Sequence, residues 1–220
     1  PYRCHRFPSH VVNIGGILLG GGFPVRVQSM TNTPLADTEA TIKQVVSLVD
    51  KGCEYVRVAV PSVKDVDHLA TLRKKLDSQK IVVPLIADIH FNPLVAEQVI
   101  PWVEKVRINP GNYAERRLKG GESWGEKQWK LSEEVVEEKV YRLITRCKKE
   151  GTAVRIGSNH GSLSARMLQR YGDTPLGMVE AVMEYLRIFE RHSFDQVVLS
   201  MKSSNVRVMV HAYRLLMEAD

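Results

Sequence analysis

Cysteine is scarce in this chain, and its few copies stand far apart. Cys4, Cys53 and Cys147 form no CxxC pair. A disulfide framework or a local metal site needs more cysteines or closer spacing, so the sequence predicts neither of them. Because disulfides mark oxidising compartments, their expected absence favours a reducing one.

Long apolar runs are missing too. No stretch approaches the roughly 20 apolar residues of a membrane helix, and no leader with charged, apolar and cleavage regions is evident. We therefore expect a soluble protein with no membrane partner. The chain starts at Pro1 and stops within a helical pattern at Asp220, which is consistent with a cut at either end.

The chain carries a modest excess of positive charge. Lys and Arg number 31 against 25 Asp and Glu, for a formal net charge of +6. Such an excess favours a nucleic-acid partner when basic residues cluster and alternate with aromatic ones. Here the basic clusters are short, such as Arg116–Arg117 and Lys148–Lys149, and only 7% of the residues are aromatic. We therefore expect no nucleic-acid partner.

Strand and helix patterns alternate along most of the sequence. The predicted strands are 24–30, 55–60, 82–89, 103–108, 153–157 and 196–201, and the predicted helices are 38–51, one opened by Ser62, one opened near Pro93, 132–149, a short piece after Ser162, 175–191 and one from about 204. The polar stretch 112–130 is predicted to be a long loop or insertion. Six successive βα units in 220 residues predict one α/β domain, 1–220, with the insertion-containing loop and helix at 112–150 inside it.

The first twenty residues have a different pattern. An apolar run at 11–19 is broken by Gly15-Gly16, which predicts a β-hairpin that closes one end of the fold. A glycine triplet at 20–22 follows. Because the triplet precedes a strand instead of joining a strand to a helix, a tight turn is favoured over a phosphate-binding loop.

Four predicted strands contain an arginine between β-branched residues. They are Arg26, Arg57, Arg107 and Arg155. Since side chains alternate along a strand, the flanking Val and Ile residues would face covering helices while each Arg faces a shared interior. The triplet alone is weak evidence, because it recurs around Arg207 in a segment with helical spacing.

Inward-facing arginines favour a barrel over an open doubly wound sheet. A (β/α) barrel of the TIM type collects polar side chains at the carboxyl ends of its strands, where such enzymes place their sites. Eight strands close that barrel, so six predict a barrel truncated about two units early, with unpaired edges.

Polar residues follow nearly every predicted strand. They are Gln28, Ser29 and Thr31, then Asp88 and His90, then Asn109, then Asn159 and His160, then Lys202 and Ser203. Together with the arginines, Lys202 would neutralise a group of two to three negative charges through charge-assisted hydrogen bonds. Loops that lead into helices add backbone donors for the same group. The sequence therefore predicts a phosphate or diphosphate site.

Alternatives remain open at several of these residues. Any single interior arginine could instead be held by Asp or Glu as a structural pair. Asp88 and His90 share a strand face, which suits a metal pair, an acid–base pair, or a hydrogen-bonded dyad that orients a substrate, although no third metal ligand is evident. For His160, a loop hydrogen bond is favoured over a role as a base.

Six ordered motifs carry a resemblance to a known family. They are PVRVQSMTNT at 24–33, ADIHFNP at 87–93, RINPGN at 107–112, RIGSNHGSL at 155–163, YGDTPLGMVE at 171–180 and SMKSSN at 200–205. Across the whole chain the sequence resembles the 4-hydroxy-3-methylbut-2-enyl diphosphate synthases, iron–sulfur enzymes of the non-mevalonate isoprenoid pathway. The stretch after Asn112 and the YGD motif resemble the larger form of plants and some bacteria.

The resemblance implies a function. Such enzymes reductively open 2-C-methyl-D-erythritol 2,4-cyclodiphosphate: a barrel grips the diphosphate, and a 4Fe-4S cluster on a C-terminal domain of another subunit supplies electrons from ferredoxin or flavodoxin. A homodimer in the cytoplasm, or in the plastid stroma of a plant or alga, is implied. The matching positions that would hold the diphosphate are Arg57, Arg107, Arg155, Asn159 and Lys202. The site would also be lined by Asp88, His90 and Asn109. Further candidates are Arg26, Gln28, Ser29, Thr31, His160 and Ser203.

The chain departs from the family pattern in one respect. The cluster cysteines and the acidic catalytic residue have no counterpart here, since Cys4, Cys53 and Cys147 do not match the cluster positions. We expect these 220 residues to bind but not to turn over substrate. Two rivals stay open: a pterin-binding transferase similar to dihydropteroate synthase, and a non-catalytic module that binds a phosphate ligand.

Overall fold

A computed structural model describes residues 7–89, 91–115 and 124–219. Its strands are β1 (Val12–Ile14), β2 (Ile17–Leu19), β3 (Gln28–Met30), β4 (Tyr55–Val60), β5 (Leu85–Ile89), β6 (Lys105–Ile108), β7 (Ala153–Asn159) and β8 (Val197–Lys202). Its helices are α1 (Thr38–Asp50), α2 (Val63–Ser78), α3 (Pro93–Val99), α4 (Pro110–Tyr113), α5 (Glu126–Glu150), α6 (Ala165–Tyr171), α7 (Pro175–Arg191) and α8 (Val206–Glu218).

The main sheet has the topology of a (β/α) barrel that is open on one side. Within the described residues it contains six parallel strands, paired in sequence order from β3 to β8 and curled around a common interior. A helix follows each strand and returns the chain to the start of the next one. The predicted fold class is therefore confirmed, and β3 and β8 are the edge strands of this sheet.

Local sequence signals define the helix starts. The Asp37 side chain accepts a hydrogen bond from the Ala40 backbone N–H at 3.0 Å, which caps α1. Ser62 and Asp65 form the predicted capping box of α2. Pro93 and Pro175 occupy the first turns of α3 and α7, where their missing N–H groups would have no helical partner in any case.

The two faces of the sheet have different neighbours. On the outer face, Val56, Val58 and Val60 pack in the main apolar core against the helices. On the inner face, a separate small core brings Tyr55 together with Val12 and Ile14 of the hairpin. The Tyr55 hydroxyl also donates to the Ile17 carbonyl at 3.1 Å. The hairpin thus closes the amino end of the barrel interior, as predicted.

The first barrel strand is shorter than predicted. β3 begins at Gln28, while Val25 and Val27 are 74% and 53% exposed. Pro24 has no N–H to give to a strand ladder, and at the sheet edge the preceding residues gain little from pairing. The Glu54 side chain holds the segment instead, because it accepts a hydrogen bond from the Val27 N–H at 2.8 Å.

The region predicted as a loop at 112–130 is only partly a loop. Its first residues belong to α4, residues 116–123 lie outside the described part of the chain, and α5 begins at Glu126 instead of near Ser132. The early turns of α5 lack an apolar stripe, which is why periodicity misplaced its start. They are stabilised by contacts such as the hydrogen bond from Trp129 Nε1 to Glu133 at 2.7 Å.

The described residues contain eight α-helices. None of them combines the length and the apolar character that a bilayer crossing requires.

Candidate anion-binding site

Three arginines converge on the inner face of the central strands. Arg57 of β4, Arg107 of β6 and Arg155 of β7 all lie on the inner face, and Arg107 pairs directly with Arg155 in the parallel register. Asp88 of β5 is the register partner of Arg107. Because paired residues of a parallel sheet point to the same side, Asp88, Arg107 and Arg155 share one level of the interior. Arg57 pairs with Ile86, so it lies one inward-facing position nearer the amino end of the strands.

One carboxylate serves two of these arginines. Asp88 Oδ1 lies 3.3 Å from Arg107 Nη1, and Asp88 Oδ2 lies 3.7 Å from Arg57 Nε. The carboxyl group is 6% exposed and so is well shielded from solvent. Arg57 and Arg107 therefore share one carboxylate, and the structural alternative in which each has its own is excluded for these two residues.

Arg155 has no ion-pair partner among the described residues. Its Nε donates to Ser200 Oγ at 2.9 Å, which is a neutral acceptor. Burial, followed by repulsion from Arg57, lowers the pKa of the Arg155 guanidinium. Three guanidinium groups and one carboxylate leave two positive charges unbalanced among these four side chains, and an anion at this level would relieve the repulsion.

A glycine makes room for the cluster. Arg107 Nη2 donates to the Gly157 carbonyl at 3.4 Å, and a Cβ at Gly157 would lie 2.8 Å from Arg107 Nε and 3.1 Å from Ser200 Oγ. Any larger residue at this position would displace the guanidinium. The close approach of the Arg107 side chain therefore requires glycine at position 157.

Lys105 is an interior cation that we did not predict. It begins β6, faces inward two residues before Arg107, and is 2% exposed. Burial, then repulsion from Arg155 and Arg57, lowers the pKa of its ammonium group to about 7. The alternation of Lys105, Arg107 and Asn109 along one strand was the signal that could have revealed it.

The rim of the barrel carries further predicted residues. Asn159 and Lys202 are register partners at the ends of β7 and β8, so they lie side by side at this rim. Asn109 is buried, and its Oδ1 accepts a hydrogen bond from the Gly111 N–H at 3.0 Å, which caps α4. Asn109 therefore has a structural role whether or not it also touches a ligand.

Arg26 corrects one expectation. It was expected to point into the shared interior, but it precedes β3 and lies at the amino end of the sheet. There its Nη1 pairs with Glu54 at 2.7 Å, and its Nε donates to the Leu18 carbonyl at 2.9 Å. The hydrogen bond from the Val27 backbone N–H, followed by the one from Arg26, lowers the pKa of the Glu54 carboxyl group. Arg26 thus ties the hairpin to the barrel, far from the arginine cluster.

The remaining predicted residues are scattered around the cluster. Gln28 shares the inner face, Ser29 lies on the outer face, and the Thr31 N–H donates to the Arg57 carbonyl at 2.9 Å. Ser203 Oγ accepts from the Asn205 N–H at 3.1 Å. His90 lies outside the described residues.

The structure agrees with the loop interpretation of His160. Its Nε2 lies 3.2 Å from the Asp173 carbonyl oxygen and 3.6 Å from Asp173 Oδ2, and Asp173 Oδ1 also accepts from the Gly161 N–H at 3.0 Å. These contacts join the loop after β7 to the segment before α7. The part of the chain that the structure describes contains no group of three or more His, Cys, Asp or Glu side chains placed to hold a metal ion.

Comparison with known proteins places this geometry in a family. A family model described as the GcpE TIM-barrel domain matches residues 9–220. The chain belongs to this family. Curated relatives named 4-hydroxy-3-methylbut-2-en-1-yl diphosphate synthase (flavodoxin) are similar throughout: the protein from Protochlamydia amoebophila is 44% identical over 99% of this chain and 34% of its own length. That from Bacteroides fragilis is 48% identical over 98% of this chain and 34% of its own.

The likeness to these relatives concerns only part of their length. This GcpE barrel spans about a third of the curated relatives that it matches. Solved structures of other enzymes share the fold: N-acetylneuraminic acid synthetase from Leptospira borgpetersenii superposes with a TM-score of 0.62 at 14% identity, over 98% of this chain and 69% of that one. A truncated 3-deoxy-D-arabino-heptulosonate 7-phosphate synthase from Thermotoga maritima gives 0.56 at 11% identity, over 94% and 64%.

Proposed function

We propose that this chain is the substrate-binding barrel of a 4-hydroxy-3-methylbut-2-enyl diphosphate synthase and that it binds the diphosphate of 2-C-methyl-D-erythritol 2,4-cyclodiphosphate. The observation that carries the proposal is the cluster of Arg57, Arg107 and Arg155 around the single carboxylate of Asp88. The names of relatives that are 44% and 48% identical supply the substrate class.

The charge of the cluster suits the proposed substrate. A cyclic diphosphate has one ester bond at each phosphorus atom and carries two negative charges, which equals the unbalanced positive charge of the three arginines and Asp88. Asp88 would hold Arg57 and Arg107 in place before the ligand arrives, so fewer rotamers would have to be ordered on binding. Charge-assisted hydrogen bonds from the guanidinium groups would contribute roughly 1.5 to 3 kcal/mol each.

The barrel rim would complete the grip. Asn159 and Lys202 lie beside each other at the carboxyl ends of β7 and β8, two inward-facing positions further out than Arg155. Lys202 is exposed, so its ammonium group can reach outward to an oxygen that the arginines leave uncovered. In this arrangement the arginines and the two rim residues together bind the diphosphate and fix its orientation.

The described cysteines do not fit the iron–sulfur cluster that the proposed activity needs. Cys147 is buried in α5, where burial raises the pKa of its thiol to about 12, and Cys53 precedes β4 at the amino end of the sheet. Cluster ligands are thiolates with access to the metal. In our proposal a 4Fe-4S cluster, flavodoxin or ferredoxin as donor, and a homodimeric assembly in the cytoplasm or plastid stroma belong to the whole enzyme, with the ligands supplied from outside these 220 residues.

The proposal is tested by calorimetric titration of the intact protein with the cyclodiphosphate. Arg155→Met should weaken binding about 10- to 100-fold, the equivalent of one charge-assisted hydrogen bond. Arg187→Met is the matched control, because it removes an equal charge from an exposed side chain of α7. Equal affinities for the two variants, with unchanged circular dichroism, would refute the assignment.

Two further measurements separate the rival functions. Iron content and the visible absorption of the intact protein distinguish the synthase from a pterin-binding transferase and from a phosphate-binding module. A colourless, iron-free intact protein counts against the synthase. Tight binding of a dihydropterin, unchanged by Arg155→Met, favours the transferase.

A further inference from the structure

Lys105 lies one inward-facing position below Arg107 on β6, at the register level of Arg57. Its register partners are Ile86 of β5 and Ala153 of β7, so it sits centrally in the sheet. Its Nζ is 5.0 Å from the ring centroid of Tyr55, and Tyr55 in turn packs against the hairpin residues of the small inner core. The side chain is therefore enclosed by Arg107 and Arg155 above it, Arg57 at its own level and the apolar hairpin core below it.

The groups around Lys105 do not balance its charge. The ionisable groups on the surrounding strands are Tyr55 and Arg57 of β4, Asp88 of β5, Arg107 of β6, Arg155 of β7 and Lys202 of β8, whereas the hairpin strands bring none. No carboxylate of the described residues lies within ion-pair distance of Lys105, and Asp88 is already engaged by Arg57 and Arg107. A buried ammonium without a counter-ion is costly.

The balance of charge can change by one proton. With its pKa lowered to about 7 by burial and by the two nearby arginines, Lys105 is mostly neutral in the free protein at pH 8. The interior then holds an excess of two positive charges, and a third becomes available only if an anion compensates it. A diphosphate diester carries two negative charges, whereas a diphosphate monoester carries three.

We propose that Lys105 takes up a proton from solvent when a diphosphate monoester occupies the arginine cluster above it, and that it stays largely neutral when a diester is bound there. Only the amine and the proton change: –NH₂ and H⁺ become –NH₃⁺, with no bond of the ligand broken. The inference rests on the proposed function. It would let one rigid site hold both a cyclic diphosphate, which is a diester, and its ring-opened product, which is a monoester.

The test is calorimetric titration of the intact protein at about pH 8, repeated in buffers of different ionisation enthalpy. The probes are methyl diphosphate, whose last ionisation, with a pKa near 6, is complete there, and P1,P2-dimethyl diphosphate, which has only two charges. The difference in proton uptake between wild type and Lys105→Met should approach one proton for the monoester and stay below about half a proton for the diester.

The pH dependence gives a second readout. Between about pH 7.5 and 8.5, the affinity of the wild type for methyl diphosphate should fall roughly five- to tenfold, because the proton becomes harder to recruit. The affinity of Lys105→Met should stay nearly flat over that range. A Lys105 that only supports the fold would change the affinity without changing this slope.

The failures of the two proposals are distinguishable. A wild type that binds neither probe refutes the diphosphate site itself. Binding with equal proton uptake in wild type and Lys105→Met, or with equal uptake for both probes, refutes the role of Lys105 alone. If Lys105→Met does not fold, the pKa of Lys105 in the wild type, measured by NMR at its Cε, must rise on adding methyl diphosphate, and a constant value overturns the inference.

Discussion

The buried lysine predicts an unusual dependence of stability on pH. The pKa of Lys105 is about 7 in the folded protein, because of burial and the nearby arginines, compared with 10.5 for an exposed lysine of the unfolded chain. Between these values the unfolded chain binds more protons, so the free energy of unfolding rises with pH. Below about pH 7 the whole cost of the buried charge, roughly 4 to 5 kcal/mol, weakens the fold, and above about pH 10.5 it has vanished.

Lys105→Met removes this titration while keeping a long apolar side chain in place. Replacing an unpaired buried charge with a hydrophobic residue of similar volume is expected to stabilise the fold. The advantage of the variant over wild type should shrink by about 2 kcal/mol between pH 7 and pH 9. Because other groups titrate equally in both proteins, the difference isolates Lys105.

The assay is urea unfolding of the intact protein in phosphate-free buffer. Hydrogen–deuterium exchange of peptides from β5, β6 and β7 follows opening of the barrel separately from the rest of the protein. A stability difference that is constant from pH 7 to pH 9 would show that Lys105 titrates normally. A variant that is less stable than wild type at pH 7 would refute the reasoning that the charge is unpaired.

Two further predictions concern space and buried charge. Gly157→Ala should weaken cyclodiphosphate binding at least about tenfold without unfolding the protein, because its Cβ displaces Arg107, whereas Gly22→Ala, which meets nothing within 4 Å, should bind normally in the same titration. Arg166 is 2% exposed and donates to Glu184, whose pKa is raised by burial. Arg166→Met should therefore cost roughly 3 kcal/mol in urea unfolding, and adding Glu184→Leu should restore much of it; equal losses in the single and double variants would contradict the pairing.

Local patterns in the sequence were sufficient for the architecture. Alternation along strands and caps such as Ser62 and Pro175 predicted the order of the elements and the inward direction of Arg57, Arg107 and Arg155. These signals are local because a strand has a period of two residues and a helix cap needs only its own turn. The start of α5 was missed because its first turns have no apolar stripe.

The tertiary structure decided which charges meet. Arg26 is flanked by β-branched residues as the other three arginines are, yet β3 begins after it, and it pairs with Glu54 at the amino end of the sheet. The sharing of Asp88 by two arginines and the enclosure of Lys105 depend on the register between strands that are distant in sequence. Side-chain direction is a property of one strand, whereas charge balance and burial are properties of several strands packed together, and only the folded chain determines them.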